Sequence, residues 1–431
     1  MSWACDQALT SNILNNYQVA GPLFVQTLQS FFAAQCALTG DHLWPDDATE
    51  AVIKDPNYDF IVVGAGSAGS VVANRLSENP KWKVLLIEAG GNPNLGTEIP
   101  QLFYNSLSTP IDWDYRTQPQ KGACRSYKTK GCDWPRGKVL GGCSSINGMF
   151  YVRANKADYD QWAAKGNYGW SYEEVLPYFL KCEKFNGVIT EENKKYHSQD
   201  GTINVVPGDD PHPLENMIIQ AAKELGMKNL TDINGADQIG IIVTHTNTKE
   251  NYRFSTARAY LNPAKDRKNL HVIKNAHATQ ILFTPGTNRV NGILINKGGK
   301  DITVTAHKEV IVSGGAVNSP QLLMLSGIGP KKHLEEMGIE VKVDLPVGEN
   351  LQDHVFAPIL YTMPGDDHVI TLPNVFESFV KYMLEGSGPL KDTKPHRVIS
   401  FINTTDPTSP TPDIQYHYLV LPPGVVNMLD L

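Results

Sequence analysis

The sequence predicts an α/β fold, because three stretches combine apolar runs with dense glycine. These stretches are "YDFIVVGAGSAGSVVANRLSENPKWKVLLIEAGG" at 58–91, "GKVLGGCSSING" at 137–148 and "HKEVIVSGGAVNSPQLLMLSGIGP" at 307–330. Glycine at this density lets a flat or negatively charged group approach the main chain closely. The pattern therefore favours buried parallel strands that end in turns open to a ligand.

The first stretch has the pattern of one βαβ unit. "FIVVG" predicts a buried strand, "SAGSVVANRLSENP" a helix that stops before Pro80, and "KVLLIEAG" a second strand that ends in Glu88. Gly64 allows the tight turn, Gly66 lets a pyrophosphate reach the helix N-terminus, and Gly69 lets the helix lie close to the strand. Glu88 stands at the distance of an acid that binds a ribose. The unit predicts a dinucleotide site, and the alternative is a turn that serves packing alone.

The second stretch bears on which dinucleotide is bound. A flavin is a broad planar ring with a pyrophosphate tail, and the backbone amides and small hydroxyls of "GKVLGGCSSINGM" suit such a group. NAD enzymes rarely need a second glycine-rich loop so soon after the first. A flexible surface loop is the alternative, but the neighbours Trp134, Pro135, Phe150 and Tyr151 are too apolar to favour it. We therefore expect FAD rather than NAD, and an NAD-dependent dehydrogenase is the less favoured hypothesis.

The third stretch repeats the strand–glycine–helix pattern. "EVIVSGG" predicts a buried strand, and Ser319 followed by Pro320 matches the N-cap and first residue of a helix. Gly327 and Gly329 would end that helix before Pro330. This element either brings another glycine turn to the dinucleotide or is simply a well-capped αβ element.

Composition is that of an ordinary globular protein of two or three domains, with 431 residues, 41% of them hydrophobic and 19% charged. The net charge of −7 argues against a nucleic-acid partner. Residues 1–53 contain no Lys or Arg, so the basic start of a signal peptide is missing. The apolar part, 20–38, is interrupted by glutamines, so we expect no transmembrane segment.

Cysteines and sequons bear on the cellular compartment. The six cysteines form no C-x-x-C pair, and we expect no metal site. Cys124 and Cys132 bracket a short polar loop, where a disulfide and two free thiols fit the spacing equally well. The N-x-T sequons at Asn229 and Asn403 lean weakly toward secretion. We expect an extracellular protein.

Five sequence blocks carry a family resemblance. They are "DFIVVGAGSAGSVVANRLSE", "RGKVLGGCSSINGMFYVRA", "GAVNSPQLLMLSGIGP", "NYRFSTARAYL" and "LPVGENLQDH". Together they resemble the glucose–methanol–choline (GMC) oxidoreductases, and look closest to the insect branch of FAD-dependent glucose dehydrogenase and ecdysone oxidase. The resemblance covers residues from about 57 to 431, in the order that the family has.

The resemblance implies a Rossmann-like FAD-binding domain interleaved with a substrate domain built on an antiparallel sheet. Residues 1–56 would be a leader or extension. Residues 57–350 would form the FAD-binding domain, interrupted by substrate-domain segments at about 92–133 and 155–230. Residues 351–431 would begin a truncated substrate domain.

The resemblance also implies which residues bind FAD. The pyrophosphate would lie against the first glycine stretch, the ribose at Glu88 beside Ala89, the flavin along the second stretch, and the adenine on the main chain of Ala278. The implied set is Gly64, Gly66, Ser67, Ala68, Gly69, Glu88, Ala89, Val139, Gly142, Ser145, Asn147, Gly148, Met149, Phe150 and Ala278. Some relatives attach the flavin to a His, but Ile146 stands there, so we expect non-covalent FAD.

The implied activity is oxidation of a CH–OH group of an alcohol, sugar or sterol, with hydride passing to flavin N5 and then to oxygen or a quinone. The family's catalytic His lies in a later segment, so we identify no catalytic residue here and expect it beyond Leu431, in roughly 150–200 further residues. His354 and His417 do not stand in that context. An active enzyme given as a fragment is the favoured interpretation; an inactive short FAD-binding form, or another group acting as base, is the alternative.

Overall fold

The computed structural model describes residues 33–208, 210–361, 372–394 and 396–419. The chain forms two compact units. The first unit comprises Met1–Thr97, Asn105–Ile146 and Thr256–His368, and the second comprises Glu98–Tyr104, Asn147–Ser255 and Val369–Leu431. The predicted domain bounds stay a prediction.

Strands occur in both units. In chain order they are β1 (Asn57–Val63), β2 (Val84–Ile87), β3 (Tyr115–Arg116), β4 (Asp133–Trp134), β5 (Glu183–Phe185), β6 (Ile203–Val205), β7 (Gly240–Val243), β8 (Thr248–Lys249), β9 (Tyr252–Arg253), β10 (Leu270–Ile273), β11 (His277–Phe283), β12 (Val290–Lys297), β13 (Lys300–Val312), β14 (Ile328–Gly329), β15 (Val343–Asp344), β16 (Val398–Ile402) and β17 (Ile414–His417). The α-helices of the described residues are α1 (Thr49–Lys54), α2 (Ser67–Ser77), α3 (Leu95–Glu98), α4 (Lys156–Ala164), α5 (Tyr172–Cys182), α6 (Pro213–Glu224), α7 (Gly315–Leu325), α8 (Lys331–Glu336) and α9 (Leu372–Glu385).

The first unit is built on a six-stranded sheet of order β10-β2-β1-β13-β12-β11. The strands β10, β2, β1 and β13 are parallel, and β12 and β11 continue the sheet antiparallel. Register aligns the carboxyl ends of the parallel strands, at Val63, Ile87, Ile273 and Val312. Since β2 and β13 flank β1 on opposite sides, the end of β1 is the kind of crevice where α/β sheets bind ligands.

Both faces of the central strands are buried. Ile61 belongs to one hydrophobic cluster and Val62 to the other, because successive side chains of a strand point to opposite faces. The same alternation holds along β2, with Leu85 in the first cluster and Leu86 in the second. Burial on both sides explains why these strands read as continuous apolar runs, and the predicted α/β class is confirmed.

The second unit contains a three-stranded antiparallel sheet of order β17-β16-β7. Ile242 of β7 and Ile399 of β16 are paired and share one core cluster. Val243 and Val398, also paired, belong to a second cluster. His417 is the last residue of β17.

The start of α7 differs from the prediction. The helix begins at Gly315, directly after the strand and turn, so Ser319 is not its N-cap and Pro320 lies inside it. The glycines after β13 fix this start, because they let the chain turn at the end of the strand as it does after β1. Pro320 removes one helical hydrogen bond, to Ala316, without ending the helix. Gly327, with φ +85°, follows the last turn as predicted.

A disulfide joins Cys124 and Cys132 in the first unit, with their Cα atoms 5.4 Å apart. Of the two alternatives for this loop, a disulfide or two free thiols, the structure contains the disulfide. No helix within the described ranges is both long and apolar enough to cross a membrane.

Candidate cofactor site

The first glycine turn lies at the carboxyl end of β1. Gly64 has φ +94°, and a Cβ there would lie 2.5 Å from the carbonyl oxygen of Ser313. A Cβ on Gly69 would lie 1.9 Å from the Gly64 oxygen, so α2 packs directly on the turn. Gly64 and Gly69 thus have the packing roles that the motif predicts.

Gly66 differs from Gly64 and Gly69, because neither its backbone conformation nor its packing within the protein requires a glycine. Its φ is −74°, and the nearest atom to a Cβ would be Gly142 Cα, at 3.8 Å. Nothing in the described fold forbids alanine here. The space above Gly66 is therefore available to a bound group, and the pyrophosphate that the motif assigns to it stays a prediction.

The three glycine stretches converge at this turn. Gly141 N–H of the second stretch donates to Ala65 O at 2.8 Å. A Cβ on Gly142 would lie 2.7 Å from Gly66 Cα. From the third stretch, Ser313 N–H donates to Val63 O at 2.8 Å. Bare backbone from three distant segments thus meets at the ends of β1 and β13.

The N-terminus of α2 opens onto the same place. The first backbone bond of this helix runs from Ser70 N–H to Gly66 O, at 3.0 Å. The N–H groups of Ser67 and Ala68 therefore have no acceptor within the helix, and both residues are exposed. An eleven-residue helix also presents the positive end of its dipole here. The arrangement suits an anionic pyrophosphate.

Glu88 lies next to this turn and is only 5% exposed. Its carboxylate accepts hydrogen bonds from Ala65 N–H at 2.8 Å and from Gly90 N–H at 2.9 Å. Burial raises the pKa of Glu88 to about 7, although these amides and the charge of Lys138 act against it. The carboxylate that sequence assigns to a ribose thus also anchors the first glycine turn to the end of β2.

Further predicted residues lie near Glu88. Ala276 N–H donates to Glu88 O at 2.9 Å, and Ala278 follows two residues later on β11. The side chain of Ala278 packs in the core, so the adenine contact predicted there would have to use its main chain. Ala89 is half-buried between Glu88 and Gly90.

The part of the second glycine stretch that belongs to the first unit is held in place by its own buried residues. Val139 is buried and bridges to Gly91. Ser145 is fully buried, and its hydroxyl donates to Leu140 O at 2.7 Å. Ser145 thus shapes the loop, and its hydroxyl is already engaged.

The remaining predicted residues, Asn147 to Phe150, belong to the second unit. Asn147 is exposed, and its Oδ1 accepts from Met149 N–H at 3.0 Å. Met149 is buried with a left-handed φ of +63°, which is uncommon for a residue with a side chain. Gly148 is half-buried, and the ring of Phe150 stacks on that of His417, with centroids 5.7 Å apart.

The two histidines that were compared with the family's catalytic context, His354 and His417, have different environments. The side chain of His354 is 96% exposed, in a segment without regular structure. His417 is stacked on Phe150 as described. The described part of the chain contains no group of three or more His, Cys, Asp or Glu residues that could hold a metal ion.

Sequence reasoning did not identify the residues that brace the second stretch. Thr256 N–H donates to Ser144 Oγ at 3.0 Å in the first unit. In the second unit, the fully buried Arg253 donates through Nη1 to Asn147 O at 2.6 Å and to Asn147 Oδ1 at 2.9 Å. Both braces come from the block "NYRFSTARAYL", so its match to a family was the available signal.

Comparison with known proteins agrees with this geometry. The sequence profile of the GMC oxidoreductase family matches residues 58–356. Glucose dehydrogenase [FAD, quinone] of Drosophila pseudoobscura pseudoobscura is 42% identical over 401 residues, which are 92% of this chain and 63% of that protein. Ecdysone oxidase of Bombyx mori is 36% identical over 91% of this chain and 58% of its own. Oxygen-dependent choline dehydrogenase of Rhizobium rhizogenes is 39% identical over 84% and 64%.

Solved structures are similar as well. An FAD-dependent oxidoreductase from Chaetomium thermophilum superposes with a TM-score of 0.69 at 30% identity, covering 80% of this chain and 62% of that one. Pyridoxine 4-oxidase from Mesorbium loti gives a TM-score of 0.62 at 32% identity, covering 67% and 56%. The chain thus spans a little under two thirds of the length of these relatives.

Proposed function

Because the chain belongs to the GMC oxidoreductase family, we propose that it serves as an FAD-dependent oxidoreductase acting on CH–OH groups. The observation that carries this proposal is the convergence of three glycine stretches at the ends of β1 and β13. A site of bare backbone beside a helix N-terminus is suited to a dinucleotide with a broad ring.

Each part of FAD has residues that suit it. The N–H groups of Ser67 and Ala68 would hold the pyrophosphate above Gly66, and the main chain of Ala278 would meet the adenine. The second glycine stretch, from Val139 to Phe150, would hold the flavin. When bound, FAD would supply the hydride acceptor for oxidation of the donor. The chain's own residues bind and orient the cofactor, and Glu88 holds the first turn in shape for it.

FAD binds without a covalent bond. Ile146, at the position where some relatives attach the flavin, is buried and carries no nucleophilic atom. Denaturation is therefore expected to release all of the flavin into solution.

The donor is an alcohol, sugar or sterol, and the acceptor is oxygen or a quinone. These classes come from relatives named for glucose, ecdysone and choline, and for quinone or oxygen. The disulfide between Cys124 and Cys132 supports secretion, because such bonds persist in oxidising compartments. Cys36 is disulfide-bonded as well.

The sharpest test of the cofactor site compares Gly66→Ala with Gly69→Ala. Gly66→Ala meets nothing closer than 3.8 Å and keeps a permitted φ, so thermal stability of the apoprotein should not change. Its FAD affinity should fall by about tenfold or more, because the new methyl group occupies the space assigned to the pyrophosphate. Gly69→Ala places a Cβ 1.9 Å from Gly64 O and should destabilise the fold by about 3 kcal/mol.

The measurements are FAD binding by flavin fluorescence and thermal unfolding with and without FAD. Wild-type protein that gains neither colour nor thermal protection from excess FAD would refute the cofactor assignment. Unchanged FAD affinity in Gly66→Ala would refute the pyrophosphate position. Bleaching of the bound flavin by glucose, choline or an ecdysteroid, followed by reoxidation with oxygen or a quinone, then identifies donor and acceptor; a flavoprotein that no donor bleaches would favour the inactive FAD-binding form.

A further inference from the structure

We propose that Asn229 carries an N-linked glycan and that Asn403, in the second N-x-T sequon, does not. The proposal rests on the secreted location inferred above. It states which of the two sequons is accessible to modification in the folded chain. This follows from the hydrogen bonds of each asparagine side chain.

The triplet Asn229-Leu230-Thr231 exposes its first and third residues and buries the middle one. Asn229 forms a parallel bridge with Ile241, and Leu230 N–H donates to Ile241 O at 2.8 Å. Successive side chains of extended backbone point to opposite sides. Leu230 is accordingly 6% exposed within a core cluster, whereas Asn229 and Thr231 are both exposed.

The amide of Asn229 is free to react. Within the residues that the structure describes, its side chain makes no hydrogen bond, and the Thr231 hydroxyl beside it makes none either. A glycan on Asn229 would therefore replace no contact of the fold, while the buried Leu230 keeps the triplet in place. Both functional groups of the sequon belong to exposed residues.

The second triplet, Asn403-Thr404-Thr405, is closed by its own hydrogen bonds. Asn403 is half-buried, and its Nδ2 donates to Thr411 O at 2.7 Å. Its Oδ1 accepts from Thr405 N–H at 3.0 Å, Thr405 Oγ1 at 3.0 Å and Asp406 N–H at 2.6 Å. The amide and the sequon hydroxyl thus hold the loop together, and the nitrogen that would be modified is engaged in one of these hydrogen bonds.

The modification is a group transfer. A bond forms between Asn229 Nδ2 and the anomeric carbon of an oligosaccharide supplied by a lipid-diphosphate donor. The bond from that carbon to the diphosphate oxygen breaks, the lipid diphosphate leaves with the electron pair, and Nδ2 loses one proton. No oxidant or reductant is needed.

The test expresses the full chain with its own N-terminus in insect cells and treats the product with peptide N-glycosidase A. The expected result is one shift in gel mobility, and a peptide in which Asn229 has been converted to Asp. Asn229→Gln and Thr231→Ala should abolish the shift completely. Asn403→Gln, the matched control, and Thr231→Ser should retain it.

A shift that survives in Asn229→Gln but disappears in Asn403→Gln would overturn the proposal, as would a wild-type protein without any glycan. A second arm places a cleavable secretion signal before the same chain. If Asn229 is modified only in that arm, the site is competent but the secreted location is wrong, and the proposal fails for that reason. If Asn229 stays unmodified in both arms, the structural argument fails, whatever the location and cofactor.

Discussion

Arg253 is the residue that shows most clearly how the second glycine stretch is held. Its side chain is fully buried, and burial lowers its pKa to about 10, with the charge of Glu98 acting in the opposite direction. One nitrogen of its guanidinium donates to both the main chain and the side chain of Asn147. Asn147 in turn accepts from the N–H of Met149, whose backbone is left-handed. Arg253 therefore positions a residue that the family resemblance assigns to the flavin.

We expect Arg253→Gln to weaken FAD binding and to destabilise the second unit by about 3 kcal/mol, with Arg253→Lys intermediate. The matched control is Arg397→Lys, because Arg397 is also buried and pairs with Glu215 at 2.9 Å. The control should lose stability while keeping FAD affinity. Titration of the folded fraction of each variant with FAD separates the two effects. Equal FAD affinity in Arg253→Gln and wild type would show that Arg253 is only structural.

A buried pair of histidines gives the second unit opposite responses to pH. His197 lies between Asp232, at 2.9 Å, and Glu183, at 3.0 Å. Burial lowers the pKa of His197, but the hydrogen bonds to these carboxylates outweigh it and raise the pKa to about 9. Burial lowers the pKa of His245 to about 4. One imidazole is thus charged and its neighbour neutral at pH 7.

The combined contribution of these two histidines to stability should therefore be greatest near pH 6.5, the ordinary pKa of histidine. The contribution of His197 is complete below pH 6.5 and is lost as pH rises to about 9, and that of His245 is complete above pH 6.5 and is lost as pH falls to about 4. His197→Gln should flatten the alkaline limb of a plot of urea midpoint against pH, and His245→Gln the acidic limb. Subtracting each variant from wild type removes other groups, such as Glu88. A His197→Gln curve parallel to wild type above pH 6.5 would contradict this assignment.

At the scale of elements, two strand–turn–helix units lie side by side. β1, its glycine turn and α2 form one, and β13, its glycine turn and α7 form the other, with β1 and β13 paired in parallel. Each helix begins directly after its turn. Both turns lie at one edge of the sheet, because the two strands are parallel neighbours. The second glycine stretch packs against the first turn at Gly142.

Gly142→Ala tests this packing. Its φ is +53°, and the added Cβ would lie 2.7 Å from Gly66 Cα, so we expect a loss of about 3 kcal/mol and weaker FAD binding. Gly91→Ala is the control in the same region, because a Cβ there meets only Asn275 side-chain atoms at 3.5 Å and beyond. It should change stability by no more than about 0.5 kcal/mol. Thermal unfolding of both variants measures the difference, and equal midpoints would show that the two stretches do not pack tightly.

The sequence predicts these elements because their signals are local. The apolar run of β1, the glycine spacing and the start of α2 stand within a few residues of one another, and the structure agrees with each. The predicted start of α7 was wrong. The helix begins directly after the turn that follows β13, and not at the local N-cap signal of Ser319 before Pro320. The bonds of Arg253 to Asn147 and of His197 to Asp232 join distant segments. No periodicity in the sequence indicates such contacts between distant segments, so they are seen only in the folded structure.

At the scale of the whole molecule, apolar side chains remain on the surface of the first unit. In the irregular segment 345–361, Val355 is 90% exposed, Ile359 70% and Phe356 66%. Large contiguous apolar patches on a soluble protein drive association. The chain of 431 residues should therefore self-associate as its concentration rises.

Replacing Val355, Phe356 and Ile359 together by Ser should shift the protein toward monomer without lowering its thermal stability, because these side chains bury little surface in the folded chain. Tyr168→Ser is the control, since that side chain is 92% exposed but belongs to the second unit, outside this segment. Sedimentation velocity over a range of concentrations measures the difference. Because exposed apolar area in one segment is the stated cause of association, a triple variant that associates as strongly as the Tyr168→Ser control would assign the attraction to another part of the surface.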